Sequence, residues 1–360
     1  MSKRPFVSTL IIPTGIGASI GGFGGDAMTV LRLLASISDT VITHPNVANA
    51  ACFQDLPSNA FYVEGLALDR FFKAEWQLQP MHQNKIGVVF DAGMEDGMKT
   101  LHKNTIEAVK TTYGTTIIGI EETTEAVSIE LKTAESGRSC GEIKNIEVIF
   151  EACKRLLTRG AKAIALCINL PELDEENNDN YSQGEGVDPI SGIEAMLSHA
   201  IVEQFKLPCA NAPVFTWDVA EPVRDKLLDP RACSEFIAPT FLPCVLQGLQ
   251  RAPQYNKTTF PTRHELTLAD VSVLIVPANA LGSIPVLSCF ERSIPILAIR
   301  NNRTVMNTSA DDLGLPGTSI IYCENYLEAL AHCIALKEGL SIPPHLLVTQ
   351  EKSAKQVQYA

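Results

Sequence analysis

The sequence lacks most of the features that mark specialised protein classes. Its ten cysteines form no Cys-x-x-Cys pair and no zinc-finger spacing, so neither a structural zinc site nor a disulfide-stapled miniprotein is expected. Charged residues make up only 19% of the chain, and Lys and Arg are outnumbered by Asp and Glu, 29 to 41, for a net charge of -12. That sign is repelled by nucleic-acid backbones and anionic lipid, which excludes a nucleic-acid coat and a membrane-surface protein. No segment offers the roughly 18 to 20 consecutive apolar residues of a transmembrane helix. The N-terminus imitates a secretion signal, with Lys3 and Arg4 ahead of an uncharged stretch from Pro5 to Gly25. Its apolar core is only Phe6 to Ile12, and Pro13 followed by six glycines in twelve residues will not hold a signal helix. Cysteines inside apolar runs, such as Cys167 in Ala-Leu-Cys-Ile and Cys289 in Leu-Ser-Cys-Phe, fit reduced thiols and a cytoplasm-like compartment.

What is present is 46% hydrophobic residues over 360 positions, enough for a substantial core. Short β-branched runs alternate with helical periodicity, which predicts an α/β protein of two Rossmann-like layers, with largely parallel sheets and a ligand cleft at the strand carboxyl ends. Expected strands are Val7–Ile12, Thr40–Thr43, Ile86–Asp91, Thr115–Ile120, Ala161–Ile168, Val271–Val276, Ile296–Ile299 and Ser319–Tyr322. A helix is expected between Gly141 and Gly160, its apolar stripe at Ile143, Ile146, Phe150, Cys153 and Leu157. Another is expected from about Ser283 to Arg292, with Pro285 in its first turn. The acidic stretch 172–188 reads as an exposed loop or linker between a domain at 1–171 and a second at 189–340; Gln250–His264 is a further break, and 341–360 a polar tail.

The segment after the first strand holds six glycines between Gly15 and Gly25. Glycine turns let backbone N–H groups approach an anion, so Thr14, Gly15, Gly17, Gly21, Gly22, Gly25 and Asp26 are candidates to bind phosphate or carboxylate. The order Gly15-x-Gly17-x-x-x-Gly21-Gly22 matches neither the dinucleotide fingerprint nor a phosphate-binding P-loop. The plain alternative is a closely packed connection in which Asp26 caps a helix. Thr43, His44, Asn46 and Asn49 follow the second strand, where open α/β sheets bind ligands. His44 fits a general acid or base, or a hydrogen-bonded residue of a turn after Pro45. Asp91, Glu95 and Asp96 fit Mg²⁺ or a positioned base, or helix capping. Arg138 and Ser139 precede the strongest helix as a second anion candidate; Asn169, Asn279 and Ser283 close strands where a substrate meets the sheet. Cys167 is a nucleophile if activated and otherwise an inert buried thiol. His199, beside Met196 on a helix edge, reads as a structural histidine.

Ile-Pro-Thr-Gly-Ile-Gly-Ala-Ser-Ile-Gly-Gly-Phe-Gly-Gly-Asp-Ala, Ile-Thr-His-Pro-Asn-Val-Ala-Asn-Ala, Tyr-Val-Glu-Gly, Gly-Val-Asp-Pro-Ile-Ser-Gly-Ile-Glu-Ala and Pro-Ala-Asn-Ala-Leu-Gly-Ser-Ile-Pro-Val-Leu together resemble the family called domain of unknown function 3326, from about residue 8 to 305. The resemblance implies relatedness without a reaction. Where its relatives are expected to carry His-Ala-Pro, this chain has Asn211-Ala-Pro213. A more local likeness, through Leu156 to Asn169, is to cofactor-independent aspartate/glutamate/hydantoin racemases. It implies a thiol and an Asn at a strand end, although here Ile168 separates Cys167 from Asn169 and no second Cys-Thr motif accompanies them.

The leading expectation is thus a metabolic enzyme whose partner is a small anionic metabolite, with no nucleic acid, no membrane, no zinc, Mg²⁺ as an option and homo-oligomerisation left open. A racemase-like enzyme using Cys167 and a noncatalytic ligand sensor recruiting partners through 172–188 are the alternatives.

Overall fold

The computed structural model describes residues 4–49, 56–171, 180–215, 227–236, 238–257, 261–262, 264–315, 320–342 and 346. In chain order its strands are β1 Val7–Leu10, β2 Thr40–Thr43, β3 Ala60–Tyr62, β4 Gln77–Gln79, β5 Ile86–Phe90, β6 Ile117–Glu122, β7 Ile129–Thr133, β8 Ser139–Ile143, β9 Ala163–Cys167, β10 Cys209–Asn211, β11 Gln254–Asn256, β12 Val271–Pro277, β13 Ile296–Ile299 and β14 Ile320–Cys323. The longer helices are α1 Met28–Ile37, α2 Gly65–Phe72, α3 Asp96–Tyr113, α4 Glu147–Thr158, α5 Ser191–Phe205, α6 Leu242–Gln250, α7 Ile284–Glu291 and α8 Tyr326–Glu338.

Two parallel sheets carry the fold. One has six strands in the order β14-β13-β12-β1-β2-β3, the other four in the order β10-β9-β5-β6. Strands buried on both faces read as continuous apolar runs; all five residues of β9 and of β5 are buried. One core joins Leu10, Val41 and Ile275 of the first sheet to Val88, Phe90 and Ala165 of the second. The opposite core joins Ile42, Leu274 and Ala298 to Val89, Ile164 and Leu166. Each layer is therefore shared by both sheets. Asn84, buried just before β5, reinforces the join: its Nδ2 donates to the carbonyls of Leu249 (2.9 Å) and Ala252 (2.8 Å) at the end of α6.

This arrangement draws on distant parts of the chain. The six-stranded sheet takes β1–β3 from one end of the chain and β12–β14 from the other, with β1 hydrogen-bonded to β12. Only residues 86–211 supply the four-stranded sheet. The acidic stretch is also less exposed than its composition suggests. Residues 172–179 lie outside the described residues, but Tyr181 and Ser182 are buried, and Tyr181 stacks on Phe23 with ring centroids 4.9 Å apart. The break at 250–264 contains β11, which pairs with β4.

All eight expected strands are present, with shifted ends; Ser319 lies outside the described residues. The expected stripe of α4 is displaced by about one residue: Val148, Ile149, Ala152, Cys153 and Leu156 are buried, while Phe150 and Leu157 sit at the margin and Ile143 ends β8. Gly160 does stop α4, at φ +91°. A Cβ there meets nothing within 4 Å, so Gly160→Ala is expected to cost only the left-handed strain, about 1 kcal/mol in a urea titration. A loss above about 3 kcal/mol would contradict this assignment.

Candidate functional site

Both sheets have a topological switch point. In the six-stranded sheet the chain proceeds outward from β1 on one side and from β12 on the other; in the four-stranded sheet it does so from β5 and β9. Crevices at such points, beyond the strand carboxyl ends, are where open α/β sheets bind ligands. The glycine-rich loop leaves the first of these crevices and packs against the second half of the molecule. A Cβ on Gly17 would lie 2.9 Å from Val187 Cγ2, and one on Gly15 would lie 3.1 Å from Ser191 Oγ.

The loop is held by its own chain. The Ser139 N–H donates to the Gly15 carbonyl (3.1 Å), the Val305 N–H to Ile16 (2.8 Å) and the Ser19 N–H to Arg303 (2.8 Å). The Asn302 amide both receives from and donates to Ile20 (2.9 and 2.8 Å). Gly21, at φ +84° and with space for a Cβ closed by Ile12, donates its N–H to both oxygens of Asp26 (2.8 and 2.9 Å). The Gly24 N–H donates to Glu235, and Ser234 donates to the Gly24 carbonyl. The Tyr181 hydroxyl lies 3.2 Å from the Gly22 carbonyl oxygen and 2.9 Å from Glu235 Oε1. The glycines thus serve close packing, and Asp26 organises the loop rather than capping α1, whose N-cap is Ala27.

The charge around the loop is acidic. Burial pushes Asp26 and Asp188 up to about 6 and Glu235 up to about 8, with repulsion from Asp188 adding to the last. Glu194 is raised well above the ordinary carboxylate range, again first by burial and then by Asp188. Arg231 donates to the Ser19 carbonyl (3.1 Å) and covers the Phe23 ring at 4.7 Å, but is ion-paired with Asp229 (2.8 Å).

Other expected site residues are likewise engaged. Thr43 Oγ1 donates to the Leu10 carbonyl (3.1 Å), Asn46 Nδ2 donates to the carbonyls of Ile12 and Gly21 (2.8 Å each), and Asn49 Oδ1 accepts from the Tyr62 hydroxyl (2.8 Å). His44 Nε2 accepts the Ile12 N–H (3.2 Å), and burial lowers this imidazole to about 4. In the structure it is a buried acceptor of a backbone hydrogen bond. Asp91, raised by burial, ties three loops together, accepting from the N–H groups of Gly93 (2.8 Å), Val127 (3.0 Å) and Asn169 (3.1 Å). Glu95 and Asp96 stay at the start of α3, and among the described residues no three His, Cys, Asp or Glu side chains gather as a metal site. Cys167 is fully buried within β9, and burial drives its thiol above the ordinary range.

Arg138 and Ser139 do not precede a helix. Arg138 is exposed between the antiparallel strands β7 and β8, while Ser139 Oγ donates to the Pro189 carbonyl (2.7 Å) and accepts the Gly192 N–H (3.0 Å). Asn279 Nδ2 donates to the carbonyls of Thr304 (2.9 Å) and Met306 (2.7 Å), closing the loop above the crevice. Ser283 precedes α7, yet its buried Oγ has no partner.

Four residues outside these expectations complete the site. Glu64 follows β3 and caps α2, with Oε2 accepting the N–H groups of Leu66 (2.8 Å) and Ala67 (3.2 Å), while Oε1 meets Nδ1 of His199 on α5. Glu64 is 3% exposed and the His199 side chain 43%. Burial works to lower the His199 pKa, but the hydrogen bond and charge of Glu64, with Asp69 behind, prevail and raise it. Glu194, five residues before His199, accepts from Asn211 Nδ2 (3.0 Å) at the end of β10. The residue types were visible in the sequence; a pairing such as Glu64 with His199, 135 positions apart, had no local signal.

A family model described as "Protein of unknown function (DUF3326)" matches residues 7–345. The chain belongs to this family. An "uncharacterized lipoprotein" of Synechococcus sp. (strain ATCC 27144) is 40% identical over 345 residues, covering 94% of this chain and 93% of that protein. No solved structure matches the chain.

The DUF3326 segments quoted above converge in the fold. Ile12 meets His44, Gly21 meets Asn46, Gly15 lies against Ser191, and Glu64 of Tyr-Val-Glu-Gly meets His199 on the helix that Ser-Gly-Ile-Glu-Ala begins. Stretches more than a hundred residues apart thus build one region at the strand carboxyl ends.

Proposed function

We propose that the protein is a small-molecule metabolic enzyme working by proton transfer in the region between the two switch points, with His199 as the acid/base and Glu64 as its positioning residue. One observation carries this reading: a half-exposed imidazole whose Nδ1 is fixed by a buried carboxylate, itself anchored on two backbone N–H groups at the start of α2. Such anchoring sets the tautomer and leaves Nε2 as the nitrogen for a ligand. The anionic ligand expected from the glycine loop is not kept, because the N–H groups of Gly21 and Gly24 already donate to the carboxyl groups of Asp26 and Glu235. The buried state of Cys167 disfavours a thiol mechanism.

In Glu64→Gln the charge that raises His199 is removed while burial remains, so its Cε1–H resonance should titrate above 6.5 in the parent protein and below 6.5 in the variant. Equal midpoints would remove the pairing. Solvent-deuterium incorporation, screened across small amines, hydroxy acids and amino acids, tests the reaction; incorporation that survives His199→Gln counts against the assignment.

The proposal includes a reducing, cytoplasm-like compartment. Eight described cysteines besides Cys244 are free thiols, and among the described residues no helix is long and apolar enough to cross a membrane. The Synechococcus relative is named a lipoprotein, so cell fractionation is the deciding measurement: recovery with membranes would overturn the cytoplasmic placement.

A further inference from the structure

We infer that the recess walled by Glu194, Asn211, Asp188 and Glu235 binds the protonated amine of a small-molecule ligand. Asn211 is 5% exposed, and its Nδ2 is committed to Glu194 Oε1 at 3.0 Å, yet its Oδ1 has no hydrogen-bond partner. A buried carbonyl oxygen without a donor costs about 1 to 3 kcal/mol, so a bound donor is the economical explanation.

The neighbouring groups also offer acceptors. Among the described residues, the donors to Glu194 and Glu235 reach Oε1, from Asn211 in the first and from the Gly24 N–H and the Tyr181 hydroxyl in the second, while Asp188 accepts from the N–H groups of Ile190 (3.0 Å) and Ser191. Arg231 does not neutralise them, being spent on Asp229 and on the carbonyls of Ser19 and Gly184. Glu194, Asp188 and Glu235 lie deep but keep some accessible surface, the combination expected of walls of a recess rather than of a sealed core. An ammonium group brings three donors and one positive charge to a place with unused acceptors and repelling carboxylates. An anion would add to the repulsion, and a neutral hydroxyl supplies one donor and no charge. The absence of any three metal-ligating side chains at coordinating distance among the described residues disfavours a cation held by direct ligation.

This inference deepens the proton-transfer reading by naming the ligand's charged group, but it does not depend on His199. Its test is titration calorimetry of the full-length protein with 1,4-diaminobutane, 1,4-butanediol and inorganic phosphate. Saturable binding of the diamine alone is expected, at least about tenfold weaker in Glu194→Gln and Asn211→Leu. Because burial and the neighbouring acids make Glu194 and Glu235 hold their protons more tightly than free carboxyls, an ammonium group should displace roughly one proton on binding, read on the parent protein as a heat that varies with buffer ionisation enthalpy. That arm stands even if a variant fails to fold. Equal binding of the diol, preference for phosphate, or no diamine binding overturns the site. Diamine binding with no proton-transfer activity would leave the site standing and remove the catalytic role of His199.

Discussion

Gly192→Ala is expected to destabilise the protein by about 4 kcal/mol or more, although it adds a single methyl group to the first turn of a helix. A Cβ at Gly192 would lie 2.2 Å from the Ser139 carbonyl oxygen, 2.5 Å from its carbon and 2.8 Å from the Cys140 nitrogen. All three are backbone atoms of β8, which cannot rotate away as a side chain can. Moving β8 would also strain the Ser139 contacts to Gly15, Pro189 and Gly192 itself. Chemical denaturation compared with Gly160→Ala separates the two costs, since Gly160 carries the unusual φ and Gly192 the close approach. A Gly192→Ala variant within about 1 kcal/mol of the parent would show that α5 docks on β8 less tightly than described.

Stability should rise by about 2 kcal/mol or more as pH falls from 8 to 6, with Glu194 and His199, both raised, acting in the same direction as Glu235, and Glu235→Gln should make that rise smaller. A carboxyl raised from 4.5 to about 8 holds its proton in the folded state where the unfolded chain has lost it. Its contribution is therefore present at low pH and lost as pH rises through the folded value. Asp26 and Asp188, raised to about 6, act in the same direction over the lower part of that window. His44 acts oppositely: lowered from 6.5 to about 4, it favours the fold above 6.5 and withdraws that support as pH falls. Its share between pH 8 and 6 is about 1 kcal/mol, too small to reverse the trend. Urea midpoints at pH 6, 7 and 8, at constant ionic strength, check the slope. A flat profile, or an equal slope in Glu235→Gln, would contradict the protonated state of this cluster.

The central strands were legible because burial on both faces writes itself into sequence as uninterrupted apolar residues, as in Ala163–Cys167 and Val271–Pro277. The strands that escaped notice are short or polar: Gln77–Gln79, Cys209–Asn211 and the exposed Ile129–Thr133 hairpin strand lack that signature. The glycine loop was conspicuous, but its purpose was not. Whether a glycine N–H such as that of Gly24 is offered to a ligand or already taken depends on Glu235, 211 positions away, and no local pattern reports it. The same holds for Asn211, whose significance lies in an oxygen left without a partner.

Because β1 pairs with β12, β1 must wait during synthesis for Val271 before one of its two edges is covered. At synthesis rates of roughly 5 to 20 residues per second, that delay is about 13 to 50 seconds. During it, β1–β3 can form only half a sheet, with the backbone of Val7–Leu10 open to pairing with any other strand. Until β12 arrives the nascent chain is therefore an aggregation-prone intermediate, and its yield in a cell depends on what shields that edge.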